Sequence, residues 1–271
     1  MAAIQMTNAM TDVGVPVRLS WAHASEVGAR AANQDAIGAA LDGGLACFVI
    51  ADGTGGHHGG EVASRIAVDA VIKAFRAAPA FGAPALLSYA AEATSNVAAA
   101  RRADPQLADM STTVAALLID QQTARAVWVH LGDSRVYLFR AGRVHAVTTD
   151  HSLAQQLIDA GYAGAGELRL HPQRNILLAA IGAEGDFAVA PSAEFALEAG
   201  DALLVCSDGL WEWVLEDEME QALSATTGSE EWLAALCARA DAAVGAAGKA
   251  RDNYSAYAIR VHPPLREEAA P

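Results

Sequence analysis

Three apolar runs in this 271-residue chain end on an aspartate: Cys47-Phe48-Val49-Ile50-Ala51-Asp52-Gly53, Val127-Trp128-Val129-His130-Leu131-Gly132-Asp133 and Leu203-Leu204-Val205-Cys206-Ser207-Asp208-Gly209. A short run rich in β-branched and aromatic residues, closed by glycine, predicts a buried strand. Each carboxylate then sits where a strand leaves the core. Carboxylate oxygens gathered at one end of such strands, with glycine backbone close by, suit hard divalent cations such as Mg²⁺ or Mn²⁺. A single Asp-Gly pair is more simply a tight turn, but three aspartates at strand ends favour a common site. Asp252-Asn253 precedes the alternating run from Tyr254 to Val261 and so marks a strand start. Antiparallel neighbours bring starts and ends to one edge.

The elements that must position these groups are legible from periodicity. Arg18 to Ile37 reads as extended, and Leu45 to Asp52 as the first buried strand. Glu61 to about Phe75 carries Val62, Ile66, Ala70 and Ala74 at four-residue spacing, beside Ala63, Ala67 and Val71, with Arg65, Asp69 and Lys73 on the other face. That is an amphipathic helix. A second, alanine-rich helix is predicted from Pro84 to Arg102. Four strands follow in quick succession, Thr113 to Ile119, Ala124 to Leu131, Ser134 to Phe139 and Arg143 to Val147, at the spacing of an antiparallel meander. Helices near Ser152 to Ala160 and Glu230 to Val244 complete the pattern. Strand groups with segregated helix pairs indicate an α+β sandwich, two sheets face to face with helices on the outer faces.

A chain that is 53% hydrophobic and lacks a linker-like break supports one core and one domain. Residues 1–17 and 262–271 read as flexible tails around a domain spanning 18–261. The opening segment has no basic region followed by an apolar core, and no run approaches the roughly 18 apolar residues of a membrane span. Cys47, Cys206 and Cys237 are an odd set without ligand spacing, two of them inside strand runs; they read as packed thiols of a reducing, cytoplasmic protein. A net charge of −14 repels polyanions and argues against nucleic acid or an acidic membrane as partner.

In order along the chain stand Arg30-x-x-Asn33-Gln34-Asp35, Ala51-Asp52-Gly53-Thr54-Gly55-Gly56-His57, Ser111-Thr112-Thr113, His130-Leu131-Gly132-Asp133-Ser134-Arg135, Thr149-Asp150-His151-Ser152, His171-Pro172-Gln173-Arg174-Asn175, Cys206-Ser207-Asp208-Gly209-Leu210 and Asp252-Asn253. This succession resembles the motifs of the PPM (type 2C) metal-dependent Ser/Thr protein phosphatases, in its bacterial form, from about Ala24 to Val261. The resemblance implies a four-layer αββα sandwich with a two-metal centre, Mn²⁺ or Mg²⁺, at one end. Asp52 resembles the ligand shared by both ions, with the Gly53 carbonyl on the second. Asp208 and Asp252 resemble the remaining ligands of the first. Asp133, with Asp208, resembles the holder of a weaker third ion. Asp35 and Gln34 look like groups that orient water around the ions, and Arg30 like the phosphate-binding arginine. The implied activity is hydrolysis of phosphoserine and phosphothreonine by a hydroxide bridging the two ions, without a covalent intermediate, by a monomer that opposes a cognate kinase.

Two residues depart from the family pattern. Thr54 stands where some members have a histidine that protonates the leaving alkoxide, and Gln34 where many have glutamate. Other readings of the same residues are weaker. The stretch Gly53 to Gly60 lacks the last glycine of G-x-G-x-x-G and any following Gly-Lys-Ser/Thr, His57-His58 has no partner pair for zinc, and Ser207 is not in a G-x-S-x-G elbow. Trp211 and Trp213 read as packing residues. His171 to Asn175 falls in what the family makes a mobile flap. Two functional alternatives remain: a phosphatase-like module that binds a phosphoprotein without turnover, and a phosphatase dedicated to a regulatory switch or secretion-system protein.

Overall fold

The aspartate-terminated runs are apolar throughout because both of their faces are covered. In a strand, alternate side chains point to opposite faces, and here each face has its own core. Cys47, Val49 and Ala51 point to a helical layer while Phe48 and Ile50 point to the opposite sheet. Leu204 and Cys206 face a second helical layer, and Leu203 and Val205 return to the inter-sheet core. Three apolar layers thus alternate with four layers of secondary structure, the αββα sandwich. The computed structural model describes residues 15–54, 59–183 and 189–264.

The elements in order are β1 (Arg18–Glu26), β2 (Asp35–Asp42), β3 (Leu45–Thr54), α1 (Gly60–Ala77), α2 (Ala83–Ala103), β4 (Ser111–Thr112), β5 (Val114–Asp120), β6 (Arg125–Leu131), β7 (Arg135–Arg140), β8 (Arg143–Val147), α3 (Leu153–Asp159), β9 (Phe195–Ala196), β10 (Ala202–Cys206), α4 (Asp208–Trp211), α5 (Glu216–Ser224), α6 (Ser229–Ala247) and β11 (Tyr254–His262). One sheet runs β1-β11-β10-β7-β8 and the other β2-β3-β5-β6-β9, with β4 paired to β3. Every pairing is antiparallel. Helices α1 and α2 cover the second sheet, and α4 to α6 cover the first. Phe48, at the centre, packs edge-on against Trp21 from β1 and Tyr257 from β11, which fixes how the two sheets face each other.

The extended stretch expected from Arg18 to Ile37 is two strands in different sheets, separated by the loop that carries Arg30. The helices α4 and α5 are additions to the expected set. At the edges of the expected domain, Val17 is buried and donates to the Gln121 carbonyl, and His262 pairs with Arg18. The remainder of the two expected tails, residues 1–14 and 265–271, lies outside the described residues, as do Gly55, Gly56, His57 and His58. Among the described residues no helix is long and apolar enough to cross a membrane.

Candidate active site

The sheet register brings the carboxylates to one end of the sandwich. Asp35 at the start of β2 lies opposite Asp52 near the end of β3, while β10 ends at Cys206 beside Ala256, close to the start of β11. Asp208 therefore leaves its strand next to Asp252. Between β6 and β7 the chain crosses from one sheet to the other through Gly132-Asp133-Ser134. Gly132 has φ +104°, and a Cβ there would meet the Thr113 methyl at 2.6 Å; only glycine permits this crossing.

The turn reading of the two Asp-Gly pairs is overturned by the structure. Asp52-Gly53 stays inside β3 and Asp208-Gly209 opens α4. What Gly53 provides is close approach, since a Cβ there would lie 2.0 Å from the Gly60 carbonyl oxygen. The strand end and the start of α1 touch backbone to backbone.

Arg30, Asp52, Asp133, Asp208 and Asp252 line one cavity of about 170 Å³, whose remaining wall includes Gln34, Gly53, Thr54 and Asn253. Asp133 is buried, Asp52, Asp208 and Asp252 are half-buried, and the Arg30 guanidinium is at the exposed rim, hydrogen-bonded to Asp252. Asn253 pins the rim: its Oδ1 accepts from Gln34 N at 2.9 Å and its Nδ2 donates to the carbonyls of Val27 and Ala32 at 2.7 and 3.0 Å. The Gln34 carbonyl accepts from Gly53 N and from Ser64 Oγ. Asp35 lies behind the cavity, where its Oδ2 accepts a 2.7 Å bond from Ser207 Oγ and its buried Oδ1 has no partner. Ser207 Oγ in turn accepts from Ser255 N, so this serine is a peg between strands and not a nucleophile.

Like charges crowd here. Burial, then the charges of Asp35, Asp208 and Asp133, hold the Asp52 carboxyl well above the ordinary carboxylate range; burial, then Asp133 and Glu212, do the same to Asp208. Burial and Asp150 push Asp133 up to about 7, and burial lifts Asp35 to about 6 against the pull of its Ser207 bond. Only Arg30 moves the other way in effect, its charged form favoured first by the Asp252 hydrogen bond and then by its charge. A site that concentrates negative charge with one rim arginine as counterweight is short of cationic charge. Among the described residues, no three acidic, imidazole or thiol side chains already converge closely enough to chelate an ion; the carboxylates line the wall and Asp252 is turned to Arg30.

Every proposed site residue of the sequence lines the cavity except Asp35, which stands immediately behind it. Asn175 and Leu177 also line it. They arrive from the segment 153–178, called the flap below, which contains the His171–Asn175 motif and carries α3 and a 3₁₀ turn from Ala165 to Leu170. The sequence marks Asn175 through its motif without giving it a place in the site. Flap and sandwich join where Leu178 N donates to the His151 carbonyl and His151 N to the Gly132 carbonyl, each at 2.8 Å.

Residues 24–247 match the family model described as Protein phosphatase 2C. The serine/threonine protein phosphatase PstP of Mycobacterium tuberculosis is 36% identical over 196 residues, 72% of this chain and 36% of that protein. This chain therefore spans little more than a third of the mycobacterial relative's length. The serine/threonine phosphatase stp of Listeria monocytogenes is 34% identical over 184 residues, 65% of this chain and 70% of the relative. Among solved structures, the catalytic domain of PstP in complex with two manganese ions superposes with a TM-score of 0.77 at 29% identity, over 91% of this chain and 99% of that one.

Proposed function

The chain belongs to the protein phosphatase 2C family, and from that premise we propose that it is a phosphoprotein phosphatase which removes phosphate from serine and threonine using two divalent cations, Mn²⁺ or Mg²⁺. The observation that carries the reading is one cavity lined by Asp52, Asp133, Asp208 and Asp252, in which burial and neighbouring carboxylates hold Asp52 and Asp208 well above the ordinary carboxylate range. The donor set fits such ions. It is all oxygen, it is short of positive charge, and it is backed by the unpartnered Oδ1 of Asp35, a ready acceptor for ordered water.

Asp52 would be shared by both ions, with the Gly53 carbonyl toward the second; Asp208 and Asp252 would complete the first, and Asp133 with Asp208 a weaker third. Divalent ions held there would supply hydroxide at neutral pH and offset phosphate charge for in-line attack at phosphorus. The protein's part is orientation and charge. With Asp252 engaged on an ion, the Arg30 fork would be free to take two phosphate oxygens. Asp35 and Gln34 hold water around the carboxylates, the neutral Gln34 amide adding no charge. The client is a phosphoprotein, with a Ser/Thr kinase as natural counterpart, and the packed, unpaired thiols of Cys47 and Cys206 suit the cytoplasm.

Thr54 hydrogen-bonds Ser111 Oγ at 2.7 Å and has no useful pKa, so this chain does not take the leaving-group proton from that position. Thr54→Val is expected to leave both limbs of the kcat–pH profile in place; a vanished alkaline limb, the one a general acid produces, would make Thr54 part of proton transfer after all.

The decisive assay is hydrolysis of p-nitrophenyl phosphate and of a phosphothreonine peptide in Mn²⁺, Mg²⁺ or EDTA. Turnover with either metal, lost in EDTA and recovered on adding metal back, is expected. Absence of turnover from folded, Mn²⁺-loaded protein would favour a module that binds phosphoproteins without hydrolysing them.

A further inference from the structure

Trp211 is buried at the end of α4, three residues after Asp208, and its indole Nε1 donates a 2.9 Å hydrogen bond to the main-chain carbonyl of Asp133. Two guanidiniums lie against the ring: that of Arg135 from β7, 3.4 Å from the ring centroid, and that of Arg169 from the flap, at 5.6 Å. Both are themselves fixed. Arg135 holds Asp150 through paired bonds of 2.7 and 2.8 Å. Arg169 donates from Nε to the carbonyl of Trp211 itself at 2.9 Å, from Nη2 to the Val214 carbonyl at 3.2 Å, and from both Nη atoms to the Glu216 carboxylate at 2.9 Å.

A buried tryptophan with a satisfied N–H is ordinarily packing. This one differs in what it joins. Its N–H fixes the backbone of one cavity carboxylate, its helix begins with another, and its ring and carbonyl are held by an arginine of the segment that brings Asn175 to the cavity. Cations over the indole face restrict the ring, and the indole hydrogen bond passes that restriction to Asp133.

We propose that Trp211 is a positioning residue for the cation site of Asp133 and Asp208, and that Arg169 sets Trp211, so that docking of the flap is read as cation affinity. The inference rests on the reading of Asp133 as a ligand. Because coupling between sites is reciprocal, a cation in that site steadies the flap.

The test is a calorimetric Mn²⁺ titration of the full chain, with metal-free melting curves of each variant alongside. Asp133→Asn is expected to remove the weakest binding event. Trp211→Phe keeps an aromatic ring and loses the N–H, and it weakens that event about 10–100-fold, as loss of a group behind a ligand does. Arg169→Met shifts it in the same direction, and the double variant is no weaker than Trp211→Phe alone, because the two act along one path. Arg169 lies outside both sheet cores, so its variant answers the question even if Trp211→Phe melts low. If Asp133→Asn weakens binding while Trp211→Phe and Arg169→Met do not, the positioning role is wrong and the ligand reading stands. If Asp133→Asn binds as wild type, the ligand reading falls and this proposal with it. Independent, multiplying effects of the two substitutions would sever the flap from the site.

Discussion

Replacing Asp208 with asparagine is expected to cost activity on the order of 10³-fold or more, beyond the roughly 10²–10³ lost with a single preorganised donor, while making the metal-free protein more stable. Both effects have one origin. Asp208 stands at the start of α4 facing Asp133 and Asp52, and its carboxyl is held well above its ordinary range by burial and by its neighbours. In the metal-loaded state proposed above that charge would be an ion's ligand; without the ion it is repulsion. The sign for pH follows. A carboxyl whose folded pKa is raised stabilises the fold below its unfolded pKa of 3.8 and loses that contribution as pH rises toward the folded values, about 6 for Asp35 and about 7 for Asp133. Metal-free wild type should therefore melt higher near pH 5.5 than near pH 7.5, by about 5 °C for each one to two kcal/mol at stake. In Asp208→Asn the difference shrinks. Mn²⁺ at the higher pH should raise the wild-type midpoint by mass action and the variant's less. Scanning calorimetry at both pH values, with and without Mn²⁺, reads all of this. A variant that melts lower than wild type without metal at neutral pH would mean that the carboxylates do not repel as described.

The strands were legible because their residues have nowhere else to go. The run from Cys47 to Ile50 is apolar on both faces, and Val114 to Ile119 likewise feeds two cores; no surface element tolerates that. Helix α1 announced itself by its stripe. Helix α5 did not, because it follows Leu215, a residue that offers no side-chain cap, and its first turn is capped instead by Glu218 reaching back to the Leu215 amide. Helix α4, four residues long, is too short for any period. The carboxylates of the site were readable as strand ends. Their companions were not, since nothing local says that Asn175 will line a cavity with Asp52, or that Arg30 will meet Asp252 across 222 residues. Trp211 read as packing for the same reason: its role lies in the identity of its hydrogen-bond partner, which only the assembled fold supplies.

Asp150 is a further residue whose motif was plain and whose task was hidden, and Asp150→Ala should destabilise the fold by about 3–5 kcal/mol, the cost of stranding a buried charge. Its carboxylate meets the Arg135 guanidinium in a two-point pair at 2.7 and 2.8 Å, with the side chains only 2% and 7% exposed. Once Asp150 is gone, Arg135 retains the Tyr137 hydroxyl at 2.9 Å and a longer approach to Glu216 at 3.7 Å. Neither replaces a paired carboxylate, and Glu216 is already committed to Arg169. The midpoint of thermal unfolding should fall by on the order of 10 °C for a chain of this size. Asp150→Asn, which keeps one acceptor, should cost less. Removing both charges, as Arg135→Met with Asp150→Leu, should recover much of the loss, since the penalty comes from the unpaired partner and not from the absence of the pair. Urea unfolding of the three variants with a common slope would measure the series directly. A cost below about 1 kcal/mol for Asp150→Ala would mean that Glu216 swings in to neutralise Arg135, and Arg169 would then have lost its carboxylate anchor in α5 and kept only the Trp211 and Val214 carbonyls.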